Sequence, residues 1–181
     1  GLAMSDNVYF YELGYRVGID AIAKYARIYG FGEPTGIDLE GESSGLVASK
    51  QVKLDIWNEG WRLGDTFNAA IGQGFNLSTP LQLAVMLSCV ANGGIKHQPY
   101  LVEAFYNPDG TIYGVPERAE GKHIDVSQRT IDYMRDGMSA TTEAGGTASY
   151  FRTLPRKVAG KTGTAENPHG RDHGLFVAYG P

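Results

Sequence analysis

The sequence has 181 residues, the usual size of a single domain. With 42% hydrophobic residues, 20% charged residues and a net charge of −4, the chain is too apolar and too weakly charged to be disordered. It also lacks the strongly basic face that nucleic acids require, so we expect a globular domain that does not bind nucleic acid.

The N-terminal third is predicted to be helical and then irregular. A short helix is expected over residues 8–13, because the preceding Ser5-Asp6-Asn7 consists of residue types that cap helices. A second helix is expected over residues 20–29 and should end at the glycine that follows. Glycine and proline interrupt residues 30–68, which we therefore expect to be mostly irregular.

The clearest helix is predicted to begin at Pro80. Thr79 and Gln82 form the T-x-x-Q pattern of a capping box, and proline favours the first helical position. The following turns are apolar on nearly every side as far as Asn92, so this helix should lie in the core. It contains Cys89, a single cysteine that can form no intrachain disulfide and that we expect to be buried.

The second half of the chain is predicted to mix strands with one helix. In chain order, the expected elements are a hairpin over 100–106 and 111–115, a helix from 128 to Gly145-Gly146, and strands over 157–165 and 174–179. This order predicts a mixed α/β domain with an antiparallel sheet flanked by helices. We expect residues 1–95 to form a mostly helical lobe and residues 96–181 to form part of a sheet lobe.

Two short motifs point to the chemistry of the chain. Ser5-Asp6-Asn7 lies near its start, and Lys161-Thr162-Gly163 lies near its end. Together with S-x-x-K, the motifs S-D-N and K-T-G mark penicillin-binding proteins and class A β-lactamases. Either tripeptide alone is a weak signal, because S-D-N also caps helices and K-T-G also occurs where a strand meets a turn. Their order and wide separation make the pair informative.

The residues around both motifs resemble the transpeptidase domain of class B penicillin-binding proteins, most of all the elongation, rod-shape subgroup. Five blocks carry the resemblance: SDNVYFY at 5–11, AIGQG at 70–74, TPLQLA at 79–84, AGKTGTAE at 159–166 and LFVAYGP at 175–181. They extend over essentially the whole chain. The resemblance implies the penicillin-binding transpeptidase fold, present only in part.

The resemblance also implies an activity, the D,D-transpeptidation of peptidoglycan. A serine attacks the penultimate D-Ala carbonyl of a stem peptide ending in D-Ala-D-Ala and expels the terminal D-Ala. The acyl group then passes to an amine of a neighbouring stem peptide. β-Lactam antibiotics mimic the D-Ala-D-Ala end and are held as slowly hydrolysed esters. We expect no metal and no cofactor.

Three catalytic residues follow from the resemblance. Ser5 matches the hydroxyl that relays a proton between nucleophile and leaving group. Lys161 matches the strand lysine that supports this transfer and attracts the anionic substrate. Asn7 matches the amide that contacts the acyl side chain of the substrate.

Three further residues are expected to bind substrate. Thr162 and Thr164 match the hydroxyls that hold the substrate carboxylate, and the N–H of Thr164 matches one donor of the oxyanion hole. Gly163 has no side chain to keep the substrate from binding beside this strand as an added strand.

The nucleophile motif is missing from the chain, because none of its seven lysines has a serine three residues before it. We expect S-x-x-K, a membrane anchor and a non-catalytic pedestal domain upstream of Gly1. Residues 1–181 would then be an internal piece that is inactive alone. The resemblance further implies a catalytic domain on the outer face of the cell membrane, with a glycosyltransferase of the elongation machinery as partner.

Two rival functions belong to the same fold. A β-lactam-hydrolysing enzyme of class A needs a glutamate that activates water, and Glu103 with Asn107 reproduces its E-x-x-x-N spacing. Glu103, however, lies in a strand-like run that leads into a turn. A β-lactam sensor would be acylated and would signal. The blocks at 70–74 and 79–84 favour the biosynthetic class.

Overall fold

The computed structural model describes residues 1–180. The helices are α1 (Asn7–Ile28), α2 (Lys50–Trp57), α3 (Leu63–Ala70), α4 (Pro80–Ala91) and α5 (Gln128–Thr142). The strands are β1 (Ile95–Lys96), β2 (Phe105–Tyr106), β3 (Ile112–Gly114), β4 (Lys122–His123), β5 (Ala159–Ala165) and β6 (His173–Tyr179). The predicted mixed α/β class is confirmed.

Helix α1 takes the place of the two short helices predicted near the N-terminus. Asp6 caps it, because its Oδ1 accepts the N–H groups of Val8 at 3.0 Å and Tyr9 at 3.3 Å. Gly18 interrupts the helix with a φ of 74° and a ψ of 163°. The prediction was right that a break exists and wrong about its extent, since a single glycine with positive φ is enough to make it.

Residues 30–68 were expected to be mostly irregular, and this prediction was wrong for α2 and α3. Ser49 caps α2 through its Oγ, which accepts the N–H of Val52 at 3.2 Å. Asp65 accepts the N–H of Arg62 at 2.7 Å where α3 begins. The buried side chain of α2 is Lys53. A charged residue facing inward conceals the apolar stripe by which a helix is normally predicted.

Helix α4 begins as predicted. Gln82 N–H donates to Thr79 Oγ1 at 3.1 Å, and Thr79 N–H donates to Gln82 Oε1 at 2.9 Å. The helix packs in the main core with α5 and β5, and Cys89 is completely buried there. A smaller core connects α1 with α3 through Ile19, Ala48 and Ala69. The division of the chain into lobes at residue 95 stays a prediction.

Within residues 1–180 the strands form three antiparallel two-stranded sheets. The β2–β3 hairpin is shorter than predicted, because the carboxylate of Asp38 accepts the N–H groups of Leu101 and Val102 and keeps them out of the ladder. Strands β5 and β6 lie where they were predicted and pair along their full length. None of the helices in residues 1–180 is long and apolar enough to cross a membrane.

Candidate active site

A cleft of about 770 Å³ lies between β5, the turn before α1 and the loop after α3. Its walls include all six residues that the sequence predicted for the site: Ser5, Asn7, Lys161, Thr162, Gly163 and Thr164. Ser5 and Lys161 are 156 positions apart in the sequence and form a direct hydrogen bond. The fold therefore brings the two motifs into one site.

Ser5 is presented by a tight turn. Residues Leu2–Met4 form a 3-10 turn, and the N–H of Ser5 donates to the carbonyl of Leu2 at 3.2 Å. Ser5 itself has a left-handed backbone, with φ 49° and ψ 45°. Helix α1 starts two residues later with Asn7, so the hydroxyl and the amide enter the cleft from the same short segment.

Within residues 1–180, the Lys161 ammonium group hydrogen-bonds to two oxygens and forms no ion pair with a carboxylate. Its Nζ donates to Ser5 Oγ and to the carbonyl of Thr162, the latter at 2.6 Å. None of the ion pairs within residues 1–180 includes it. Burial lowers the pKa of Lys161 below its ordinary value, because desolvation disfavours the ammonium form. A lysine in this state exchanges protons with a neighbouring hydroxyl more readily than an exposed lysine does.

Strand β5 offers one edge to the cleft. Strand β6 occupies the other edge, with Lys161 opposite Val177 and Thr164 opposite Gly174. Thr162 and Thr164 are two positions apart on the strand and share a face, and both line the cleft. Between them Gly163 leaves the backbone exposed. Two hydroxyls beside an open strand edge can bind an anionic group at the end of a peptide.

Two of the cleft-lining residues that were not predicted form hydrogen bonds with β5. The Nε2 of Gln73 donates to the carbonyl of Thr164 at 3.0 Å and so connects the loop after α3 to β5. The Oγ1 of Thr147 lies 2.9 Å from the Oγ1 of Thr162. The G-Q-G block at 72–74 was a signal for Gln73, since a polar residue between two glycines lies on a tight turn. Nothing local in the sequence distinguishes Thr147.

The glutamate considered for β-lactam hydrolysis lies elsewhere. Glu103 precedes β2, and its backbone carbonyl accepts a hydrogen bond from Arg118 at 2.7 Å. Asn107 belongs to the turn of the hairpin, where its Nδ2 donates to Thr111 Oγ1 at 2.9 Å. Neither residue is among those that line the cleft within the described part of the chain. The E-x-x-x-N spacing therefore has no place in this site.

The family follows from comparison with known proteins. The family model of the penicillin binding protein transpeptidase domain matches residues 1–181, and the chain belongs to this family. Among curated relatives, the peptidoglycan D,D-transpeptidase MrdA of Acinetobacter baumannii is 34% identical over an alignment of 197 positions. The alignment covers 99% of this chain and 29% of the relative. MrdA of Escherichia coli K12 is 32% identical and is covered to 31% of its length.

Solved structures give the same family. Pseudomonas aeruginosa PBP2 in complex with WCK 5153 superposes with a TM-score of 0.84 at 34% identity, over 97% of this chain and 39% of that one. PBP2 of Helicobacter pylori, in complex with MreC, superposes with a TM-score of 0.85 at 32% identity. The superposition covers 98% of this chain and 32% of the Helicobacter pylori chain. The resemblance to elongation-type proteins is confirmed. The chain spans about a third of the length of these relatives.

Proposed function

We propose that the protein containing this chain is a peptidoglycan D,D-transpeptidase that works through a serine acyl-enzyme. One observation carries the proposal. In a chain of the penicillin-binding transpeptidase family, a lysine of lowered pKa contacts the hydroxyl of Ser5 in the same cleft as Thr162 and Thr164. A base, a hydroxyl relay and an anion-binding strand edge are what acyl transfer from a peptide carboxyl end requires.

The attacking serine is proposed to lie outside residues 1–181. No lysine in the chain belongs to an S-x-x-K motif, and the relatives are about three times longer. The serine oxygen attacks the penultimate D-Ala carbonyl as its proton leaves to a base. The bond to the terminal D-Ala breaks, and its nitrogen takes up a proton. An acceptor amine then attacks the ester, forms the cross-link and releases the serine.

Ser5 and Lys161 are proposed to carry the protons in both steps. The hydroxyl of Ser5 can donate to the departing D-Ala nitrogen and be reprotonated through Lys161, since the two side chains are already hydrogen-bonded. Because Lys161 is desolvated, its ammonium and amine forms are closer in free energy than those of an exposed lysine. Asn7, on the same wall, is proposed to bind the acyl side chain.

The edge of β5 is proposed to hold the peptide end. Thr162 and Thr164 would donate to the substrate carboxylate, and Gly163 lets the substrate backbone approach as an added strand. The N–H of Thr164 would donate to the oxyanion that forms during attack. β-Lactams are proposed to occupy the same positions and to remain as slowly hydrolysed esters.

A partner and a location are proposed on the same basis. A PBP2 structure of Helicobacter pylori contains MreC, and another structural relative is described as a complex that coordinates polymerization and crosslinking of peptidoglycan. We infer that this protein also works beside a peptidoglycan glycosyltransferase. The stem peptides that it joins lie outside the cytoplasm, so its catalytic domain should lie on the outer face of the cell membrane.

Labelling of the complete protein with a fluorescent penicillin tests the proposal. We expect one covalent adduct per molecule, on a serine outside residues 1–181, which unlabelled D-Ala-D-Ala peptide suppresses. The adduct should persist much longer than the acyl-enzyme of a β-lactamase measured under the same conditions. An adduct on Ser5 would place the nucleophile inside this chain, and rapid release of hydrolysed penicillin would indicate a β-lactamase.

A further inference from the structure

Thr147 lines the cleft but has no part in the steps just described. The glycine turn after α5 brings it there. Gly145 has a φ of 87°, and a Cβ on Gly146 would overlap the carbonyl oxygen of Thr141. Only glycine, which has no side chain, allows this compact turn. The turn brings the side chain of the next residue, Thr147, into contact with β5.

The backbone of Thr147 is anchored to the 3-10 turn that precedes Ser5. Its N–H donates to the carbonyl of Ala3 at 3.1 Å, two residues before Ser5. The next residue, Ala148, donates its N–H to Thr141 at 2.9 Å. With the backbone held on both sides, the Thr147 hydroxyl lies 2.9 Å from that of Thr162. This contact is between two side chains fixed by separate backbone segments, so it is a built feature of the cleft.

The proton arrangement of this pair decides what Thr162 can bind. Each hydroxyl has one proton to donate. If Thr162 donated to Thr147, it would turn a lone pair toward an approaching carboxylate. If Thr147 donates to Thr162, the Thr162 proton is free for the carboxylate, and each hydrogen bond in the chain polarises the next. An anion in the cleft therefore selects the second arrangement.

We propose that Thr147 is a positioning residue that directs the hydroxyl proton of Thr162 toward the substrate carboxylate. This role rests on the proposed transpeptidase function. It makes Thr147 a determinant of specificity for ligands with a free carboxylate. It acts through Thr162, so removing Thr162 should remove its effect.

The test compares two ligands, a penicillin and its methyl ester, by their second-order rate of acylation in the complete protein. Thr147→Val keeps the shape and loses the hydroxyl. We expect it to slow acylation by the acid about three- to tenfold, the effect of one hydrogen bond, and to leave the ester rate unchanged. Thr147→Ser should restore the acid rate. Thr111→Val removes a hydrogen-bonded hydroxyl outside the cleft and should change neither rate.

A double-mutant cycle separates positioning from packing. In a Thr162→Val background, Thr147→Val should cause no further loss with the acid. Acylation rates are expressed per molecule that can be labelled, so a partly unfolded variant does not alter the ratio of the acid rate to the ester rate. Thr147→Ala serves as a second variant. Equal losses for acid and ester, or additive losses in the cycle, would overturn the role of Thr147. Wild-type protein that takes no label at all would overturn the transpeptidase proposal and this one with it.

Discussion

Lys53 in the helical part and Lys161 on β5 are the same residue type in opposite situations. The side chain of Lys53 is 5% exposed, and its Nζ lies 2.8 Å from Asp65 and 3.5 Å from Glu59. Lys161 is partly buried as well, yet it contacts a hydroxyl and a carbonyl in place of carboxylates. Burial lowers the pKa of Lys161.

The difference shows how a counter-charge changes what a buried lysine can do. A buried ammonium group needs a counter-charge, and a lysine that has one joins two elements, as Lys53 joins α2 to α3. Without a counter-charge the ammonium is less stable relative to the amine, and its proton is more easily transferred. Removing Lys53 should therefore affect folding, whereas removing Lys161 should affect chemistry.

The largest effect is expected for Lys161→Ala. Acylation by a fluorescent penicillin should slow by about 10²- to 10⁴-fold, the usual contribution of a positioned proton-transfer group. The free energy of unfolding, measured by urea denaturation, should change little, because the loss of two hydrogen bonds is offset by the relief of burying an ammonium group without a counter-charge. An unchanged acylation rate in a folded variant would remove Lys161 from the site.

Lys53→Met should show the opposite pattern. It leaves the partly buried Asp65 without its charged partner and should lower the free energy of unfolding by about 3 kcal/mol. The acylation rate per labelled molecule should stay at the wild-type value. Lys50→Ala is a matched control on the same helix. Lys50 forms an ion pair with Asp20, and the two side chains are 60% and 75% exposed. Such a pair should contribute less than about 1 kcal/mol to the free energy of unfolding. Similar losses in both variants would contradict the comparison.

The pH dependence of stability should report the Lys53–Asp65 pair. Burial alone would raise the pKa of Asp65, but hydrogen bonds from Lys53 and from the Arg62 backbone outweigh it and hold the pKa below the ordinary 3.8. A carboxyl group with a lowered pKa in the folded state stabilises the fold above 3.8, and this stabilisation is lost as the pH falls through its folded pKa. Urea midpoints measured from neutral to acid pH should fall more steeply below 3.8 in the wild type than in Asp65→Asn. Parallel curves would show that Asp65 is not the titrating group.

The smallest effect is expected for Gln73→Ala, which removes one hydrogen bond to β5. Losing this bond to the Thr164 carbonyl should slow acylation by about two- to tenfold. Gln98→Ala is its control, because Gln98 also donates its side-chain amide to a backbone carbonyl, that of Gly36, outside the cleft. A loss of the same size in the Gln98 variant would mean that the Gln73 contact has no special connection to the site.

The parts of the molecule that were predictable depend on short stretches of chain. The start of α4 follows from Thr79 and Gln82, which are close in sequence and bond to each other. The pairing of β5 with β6 follows from adjacent strands and a short loop. The six site residues were assigned through the family resemblance, which rests on short blocks of sequence around 5–7 and 161–164.

The parts that were missed depend on contacts between distant segments. Helix α2 was overlooked because its inward-facing residue is Lys53, whose burial makes sense only when Asp65 is beside it. Gln73 reaches a carbonyl 91 positions away. Thr147 looks like any threonine after two glycines until Thr162 is placed within 2.9 Å of it. In each case the partner, and not the residue itself, defines the role.

The left-handed backbone of Ser5 limits which amino acids evolution can place there. Threonine would keep a hydroxyl, but a β-branched residue is strongly disfavoured at a φ of 49°. Glycine and asparagine accept that backbone readily and have no hydroxyl. Serine is the small residue that combines this backbone with the hydroxyl that the proposed proton relay needs. Adaptive changes in this cleft should therefore accumulate around Ser5 and leave it unaltered.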